Sequence, residues 1–180
     1  AFVGALSGPD AAAGQEALDS VRLYLDERNR AGGVDGRQLR LLAYDDEGNP
    51  DLARQRAEEI VADGRAVVVI GHDTSEASLA AGAVYDAAGI AAITGGATAD
   101  DVTADRPWYF RTVFTNRGQG ALMAIYAARV LGHETASIVY ADDDYGRSLR
   151  DGFAARFETE GGAVANAWAI AEDDRDATIR

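Results

Sequence analysis

The chain of 180 residues contains no cysteine and no lysine, and both absences narrow its chemistry. Without cysteine there is no disulfide, no thiolate metal site and no cysteine nucleophile. All 17 basic residues are arginine, which excludes a Walker-type phosphate lysine, a Schiff base and a Ser–Lys pair. Only two histidines occur, His72 and His133, and neither stands in an HExxH setting. We therefore expect no metal and no cofactor, and most common enzyme classes are excluded.

Positive charge is also scarce. Thirty acidic residues against 17 basic ones give a net charge of −13 and a pI near 4.4. This balance argues against nucleic acid or an anionic membrane surface as a partner. No segment approaches the roughly 18 consecutive apolar residues of a membrane helix, so we expect no direct membrane insertion.

Short apolar runs alternate with amphipathic segments along the whole chain. Strands are predicted at residues 2–6, 39–44, 67–70, 90–93, 108–114, 136–141 and 163–170. Helices are predicted at residues 11–31, 49–63, 76–88, 116–131 and 147–160, with a further helix beginning at residue 176. Such alternation predicts an α/β fold of doubly wound parallel sheets with right-handed crossovers.

The predicted elements divide unevenly. Five strands precede residue 116, which is enough for a complete lobe, whereas only two strands and one complete helix follow it. We therefore predict an N-terminal lobe over residues 1–116 and the first part of a second lobe over residues 117–180. A two-stranded sheet is marginal in water. The strand at 136–141 should accordingly have a neighbour on each side, and the second lobe should be incomplete in this chain.

Two loops rich in glycine and hydroxyl side chains follow neighbouring predicted strands, at residues 71–75 and 94–98. The carboxyl ends of parallel strands are where open α/β sheets bind ligands. The first loop also leads into a helix, with Thr74 or Ser75 as its N-cap, and a helix N-terminus favours an anion. Two such loops are typical of a carboxylate receptor rather than a catalytic centre.

Short motifs follow one another in a fixed order along the whole chain. They are Gly4-Ala5-Leu6-Ser7-Gly8-Pro9, Asn29 with Gly32-Gly33, Tyr44-Asp45-Asp46, Asn49-Pro50, Ile70-Gly71-His72, Ser75, Thr94 with Ala97-Thr98-Ala99, Phe110-Arg111-Thr112, Gln119-Gly120 and Asp144-Tyr145-Gly146. In order and spacing these motifs resemble those of type I periplasmic solute-binding proteins, and in particular the branched-chain amino-acid (Leu/Ile/Val) binding subfamily that serves ABC importers. This resemblance implies a ligand held between two lobes.

The resemblance also implies roles for individual residues. Ser75 and Thr98 would hold the α-carboxylate of the ligand, Gly96 would accept from its ammonium through the backbone carbonyl, and Ala97 lies in the same loop. Tyr145 would close over the ligand from the second lobe. The sequence departs from the family pattern where Gly95-Gly96 replaces Pro-Ala, and where Ala12 or Ala13 replaces an aromatic residue.

Each of these residues also has a structural interpretation. Ser75 could be a helix cap, Thr98 a turn residue and Tyr145 a surface aromatic. Loop carboxylates such as Asp45 and Asp143 could belong to a metal site or an enzyme, although they more often cap helices. We interpret His72 as a packed loop histidine.

The sequence thus predicts a solute-binding protein without catalytic activity, which captures a small amino acid of the branched-chain type or an analogue. The expected partners are this ligand and the membrane subunits of an ABC permease. The expected location is periplasmic or extracellular, with a lipid anchor at the cell surface as an option. The alternatives are an extracellular sensor domain of a receptor or kinase and, less favoured, a carboxylate-dependent enzyme.

Overall fold

The structure is a computed structural model that describes residues 1–170, so the helix predicted from residue 176 lies outside the described residues. The chain divides into two compact units. The first unit consists of Ala1–Ala97 and Val102–Thr112, and the second consists of Thr98–Asp101 with the residues from Val113 onward. The sequence-based boundary between residues 116 and 117 remains a prediction about the lobes of the whole protein.

The first unit is built on a five-stranded parallel sheet. Its strands are β1 (Phe2–Gly4), β2 (Ala43–Asp45), β3 (Val69–Ile70), β4 (Ala92–Thr94) and β5 (Tyr109–Arg111), and its helices are α1 (Ala11–Arg30), α2 (Pro50–Asp63) and α3 (Ser75–Ala88). The strand order is β2-β1-β3-β4-β5. Right-handed crossovers therefore put α1 on one face of the sheet and α2 and α3 on the other. This confirms the predicted doubly wound parallel sheet.

The helix boundaries follow from local sequence signals. The Asn49 side chain accepts hydrogen bonds from the backbone N–H groups of Asp51 and Leu52, and Pro50 occupies the first turn, where its missing N–H costs nothing. Gly64 ends α2 in the left-handed conformation, with φ +68°. The predicted helix over residues 49–63 is confirmed.

The predicted strand over residues 39–44 is wrong for residues 39–42. The backbone N–H of Leu39 donates to Asn29 Oδ1 at 2.7 Å, and Asn29 Nδ2 donates to the carbonyl of Leu39 at 2.8 Å. A side chain at the end of α1 thus takes the backbone hydrogen bonds that a neighbouring strand would otherwise take. Regular pairing in β2 starts only at Ala43, opposite Phe2.

The core of the first unit lies on both sides of the sheet. Leu18 of α1 is buried, and Ile60 of α2 and Tyr85 of α3 are also fully buried. The buried residues of α2 and α3 also include four alanines, namely Ala53, Ala57, Ala77 and Ala81. Side chains this small let the two helices pack closely together over the sheet.

The second unit contains α4 (Asn116–Ile125), a π-helical turn (Tyr126–Val130), β6 (Thr135–Ala141), α5 (Asp144–Thr159) and β7 (Ala163–Ile170). Within residues 1–170, β6 pairs only with β7, in a parallel two-stranded sheet. The expectation that the strand over 136–141 has a neighbour on each side is not met in this part of the chain.

Two glycines set the contact between α4 and α5. A Cβ atom on Gly120 would lie 2.5 Å from the backbone nitrogen of Phe153, and a Cβ on Gly152 would lie 2.7 Å from the Cα of Arg117. Backbones this close leave no space for a side chain at either position. Both helices also begin at capping side chains, since Thr115 accepts from the N–H of Gly118 and Asp143 from that of Gly146. Asn116 is therefore the first residue of α4, and its N-cap is Thr115.

Candidate functional site

The loops that follow β3 and β4 are in direct contact at the carboxyl edge of the first unit's sheet. A Cβ atom on Gly96 would lie 2.5 Å from the backbone carbonyl oxygen of Asp73. Gly71 has a φ of +128°, a conformation that residues with a Cβ rarely adopt. The glycines that first marked these loops in the sequence are thus required by close approach at Gly96 and by backbone conformation at Gly71.

The backbone around His72 is held by buried side chains from three other elements. The hydroxyl of Tyr109 accepts from the N–H of His72 at 3.1 Å and donates to the carbonyl of Gly71 at 2.9 Å. The carbonyl of His72 accepts from Thr94 Oγ1 at 2.7 Å and from Ser78 Oγ at 3.1 Å. The path of the loop after β3 is therefore fixed by β5, β4 and α3 together.

Thr94 extends this network into the second loop. Its Oγ1 accepts from the backbone N–H of Gly96 at 3.2 Å and from that of Ala97 at 3.0 Å, while it donates to the carbonyl of His72. One hydroxyl thus connects both loops. The backbone N–H groups of Gly96 and Ala97 are consequently used inside the protein.

The side chain of His72 lies between two other buried polar groups. Its Nδ1 is 2.5 Å from Asp46 Oδ2, and its Nε2 is 3.1 Å from the hydroxyl of Tyr85. All three residues are at most 1% exposed. Burial raises the pKa of Tyr85, with smaller contributions from Tyr109, Asp46 and Tyr44, so its hydroxyl stays protonated. A hydrogen-bonded chain of aspartate, histidine and tyrosine can relay protons in enzymes, but the three residues of this chain are buried. His72 is a packed loop histidine, as predicted.

Ser75 is the first residue of α3, and its neighbour Thr74 is the N-cap. Thr74 Oγ1 accepts from the backbone N–H of Ala77 at 3.2 Å. The interpretation of Ser75 as the capping residue is therefore wrong. Ser75 is 3% exposed and stands at the N-terminus of a 14-residue helix, where the helix dipole is positive. This position is suited to holding an anion.

The predicted site residues are divided between the two units. Ser75, Gly96 and Ala97 belong to the first unit, at the carboxyl edge of its sheet, whereas Thr98 and Tyr145 belong to the second. Thr98 is 8% exposed, and Tyr145, in the first turn of α5, is 39% exposed.

Asn116 connects the two predicted site residues of the second unit, and the sequence analysis did not identify this connection. Its backbone N–H donates to the carbonyl of Thr98 at 2.8 Å, and its Nδ2 donates to the carbonyl of Tyr145 at 2.9 Å. Asn116 is fully buried. An asparagine at the start of a predicted helix indicates a helix cap, so the sequence gives no signal for this second role.

Asp45 and Asp143, the carboxylates that left an enzyme as an alternative, have structural roles. Asp45 accepts hydrogen bonds from the hydroxyl of Ser7 at 2.6 Å and from the backbone N–H groups of Leu6, Ser7 and Glu47. Desolvation pushes the pKa of Asp45 up, but these hydrogen bonds outweigh it and hold the pKa below its usual value. Asp143 caps α5. Among residues 1–170 no group of three or more histidine or carboxylate side chains could hold a metal ion.

Asp73 is a second residue at this edge that the sequence analysis missed. Its Oδ2 lies 2.6 Å from the point where a Cβ on Gly4 would be, and the ring of Phe2 lies 3.3 Å from that same point. Burial raises the pKa of Asp73, and the negative charge of Asp46 adds to this effect, while His72 opposes it. A single aspartate between a histidine and a threonine carries no pattern that would have singled it out.

No helix in the described part of the chain combines the length and apolarity that a membrane span requires.

Comparison with known proteins identifies relatives that are named as amino-acid-binding proteins. The Leu/Ile/Val-binding protein of Escherichia coli (strain K12) is 33% identical over 150 residues, which cover 83% of this chain and 41% of that protein. The chain spans less than half the length of the curated relatives that it matches.

Two solved structures are similar to this chain along nearly its whole length. One is the substrate-binding protein of a branched-chain amino acid transporter from Streptococcus pneumoniae, in complex with isoleucine. Its TM-score is 0.84 at 27% identity, and the match covers 99% of this chain and 51% of that protein. A solute-binding protein of an ABC transporter from R. palustris, in complex with benzoate, has a TM-score of 0.84 at 26% identity, with coverages of 99% and 49%.

The family itself follows from the sequence match. Residues 1–178 match the family described as periplasmic binding protein, which is nearly the whole chain. The doubly wound parallel sheet and the structural neighbours agree with this match. The chain belongs to the periplasmic binding protein family.

Proposed function

We propose that this protein is an extracytoplasmic solute-binding protein that captures a small amino acid, of the branched-chain type or an analogue, for an ABC importer. The observation that carries the proposal is the position of Ser75. Its side chain stands at the positive end of α3, while the capping of that helix is done by Thr74. Family membership and the names of the relatives support the same function.

The chemistry of the two loops suits a carboxylate. Neither the loop over residues 71–75 nor that over 94–98 contains an arginine, so the donors at this edge are hydroxyls, backbone N–H groups and a helix N-terminus. Such uncharged donors bind a desolvated carboxylate well, because hydrogen bonds to an ionised acceptor are the strong ones. In this proposal Ser75 and Thr98 hold the ligand carboxylate, Gly96 and Ala97 form its surroundings, and Tyr145 covers the ligand.

The ligands of the structural neighbours are consistent with a carboxylate as the common group. Isoleucine and benzoate, the ligands named for the two neighbouring structures, share a carboxylate and little else. The proposed location is periplasmic or extracellular, and the proposed partners are the membrane subunits of an ABC permease. A catalytic role is not proposed, because the buried Asp46–His72–Tyr85 group is inaccessible to a substrate.

Isothermal titration calorimetry on the full-length protein tests this function. Leucine should bind, and leucinamide, which lacks the carboxylate, should bind far more weakly or not at all. Ser75→Ala should weaken leucine binding by about 1.5–3 kcal/mol, the usual contribution of a hydrogen bond to a charged group. Thr74→Ala is the matched control, since it changes the adjacent hydroxyl but leaves the proposed ligand contact in place. Equal affinities for leucine and leucinamide would contradict the proposal.

A further inference from the structure

Thr94 bonds to both loops of the proposed ligand site through one buried hydroxyl. Its Oγ1 donates to the carbonyl of His72 at 2.7 Å and accepts from the backbone N–H groups of Gly96 at 3.2 Å and Ala97 at 3.0 Å. A hydroxyl has one donor and two acceptor sites, so these three bonds use its whole capacity. Thr94 is fully buried, and water therefore does not compete for them. The hydroxyl has no bond left to offer a ligand.

These bonds also fix the direction in which the second loop presents its backbone. The two peptide bonds on either side of Gly96 are trans, and in a planar trans peptide the N–H and the carbonyl point in opposite directions. Because the N–H groups of Gly96 and Ala97 point to Thr94 Oγ1, the carbonyls of Gly95 and Gly96 point away from it. Thr94 thus orients the carbonyl of Gly96, which the sequence analysis assigned to the ligand.

The glycines of this loop make the contact with Thr94 more important. Glycine loses more conformational freedom on folding than any other residue, so Gly95 and Gly96 are costly to hold in one conformation. Among the described residues, the nearest atom to a Cβ on Gly95 would be Thr112 Oγ1, at 3.9 Å. Packing around position 95 is therefore loose, and the order of the loop depends on hydrogen bonds to its backbone.

We propose that Thr94 is a positioning residue for ligand binding. Its hydroxyl holds the loop over residues 94–98 at the distance from the loop over residues 71–75 that the ligand requires. Thr94 does not touch the ligand; it acts through Gly96 and through the loop that carries Ser75. This inference rests on the proposed function. It predicts that removal of one buried hydroxyl lowers ligand affinity, in addition to any effect on stability.

Calorimetry with leucine on the full-length protein tests the inference. Thr94→Val keeps the shape of the side chain but removes the hydroxyl, and it should weaken leucine binding by about 5- to 10-fold, the factor that corresponds to one net hydrogen bond. Thr94→Ser keeps the hydroxyl and should restore most of the affinity. Ser78→Ala is the matched control. Ser78 is also fully buried and donates to the same carbonyl of His72, at 3.1 Å, from α3. Its removal leaves the bonds of Thr94 to both loops in place, so leucine affinity should be unchanged.

Amide hydrogen exchange in the ligand-free protein, followed by NMR, separates release of the loop from loss of the fold. In the wild type the amides of Gly96 and Ala97 should be protected. In Thr94→Val these two amides should exchange faster, whereas the amide of His72, which donates to the hydroxyl of Tyr109, should stay protected. A general loss of stability would accelerate all three amides together.

Several outcomes would overturn the inference while leaving the proposed function in place. They are wild-type leucine affinity in Thr94→Val, no recovery in Thr94→Ser, and an equal loss of affinity in Ser78→Ala. Unprotected amides at Gly96 and Ala97 in the wild type would overturn it as well, and that measurement does not depend on the folding of any variant. If the wild-type protein does not bind leucine, the proposed function fails and the inference fails with it.

Discussion

The carboxylate of Asp46 and the imidazole of His72 lie 2.5 Å apart in the core of the first unit, although 26 positions separate them in the chain. Asp46 Oδ1 also accepts from the backbone N–H of Gly48 at 2.9 Å. Because a carboxylate only accepts, Nδ1 of His72 carries the proton between them, and in the neutral ring Nε2 then accepts from the hydroxyl of Tyr85. This contact joins the loop after β2 to the loop after β3.

The first prediction concerns the stability of that contact. Asp46→Ala leaves the imidazole of His72 buried without its partner, so the free energy of unfolding should fall by about 2–5 kcal/mol. Chemical denaturation measures the change. Asp19→Ala is the control, because Asp19 pairs with Arg22 at 67% side-chain exposure and such surface pairs contribute little. A similar loss in both variants would show that the buried contact has no special role.

The second prediction separates the two neighbouring hydroxyls at the start of α3. Thr74→Ala removes the N-cap of the helix and should lower the free energy of unfolding by about 1 kcal/mol. Ser75→Ala should leave stability closer to that of the wild type, since the cap remains. Thermal or chemical unfolding of the two variants side by side measures the difference. The assignment of the cap to Thr74 would be wrong if Ser75→Ala were the more destabilised of the two.

The sequence predicted those parts of the fold that depend on local signals. The cap at Asn49, the proline after it and the glycine at 64 bound α2 correctly, because all three act on backbone groups within one turn. The alternation of short apolar runs with helices predicted the parallel sheet, because each strand–helix–strand unit brings its two strands side by side. The start of β2 could not be predicted, since it depends on a contact between Asn29 and Leu39 that no local pattern encodes.

The candidate site shows the same limit more clearly. The two loops could be found from their glycines and hydroxyls, but the side chains that hold them come from distant parts of the chain. Tyr109 contacts His72 across 37 positions, and Asn116 contacts Tyr145 across 29. The roles of the five predicted site residues in ligand binding stay predictions.

The third prediction uses the two adjacent glycines of the loop after β4. In Gly96→Ala the new Cβ would lie 2.5 Å from the carbonyl oxygen of Asp73, so the two loops must move apart. In Gly95→Ala the nearest atom outside the loop is Thr112 Oγ1, at 3.9 Å, which is ordinary contact. Gly96→Ala should therefore weaken leucine binding and lower the melting temperature, whereas Gly95→Ala should do neither. Calorimetry and thermal unfolding of the two variants make the comparison, and equal effects would contradict the close approach of the loops.

The last prediction concerns the pH dependence of stability at Asp73. Burial raises the pKa of this carboxyl above its ordinary value of 3.8, so the ionised form is less favourable in the folded protein than in the unfolded chain. The resulting loss of stability is absent below pH 3.8, grows as the pH rises through the raised pKa and is complete above it. Asparagine does not ionise. In the absence of ligand, Asp73→Asn should therefore raise the melting temperature at pH 7, and this gain should disappear as the pH falls below the ordinary pKa. Differential scanning calorimetry across this range, with Asp10→Asn as the control, measures the effect. A gain that is independent of pH, or a loss at pH 7, would contradict the raised pKa of Asp73.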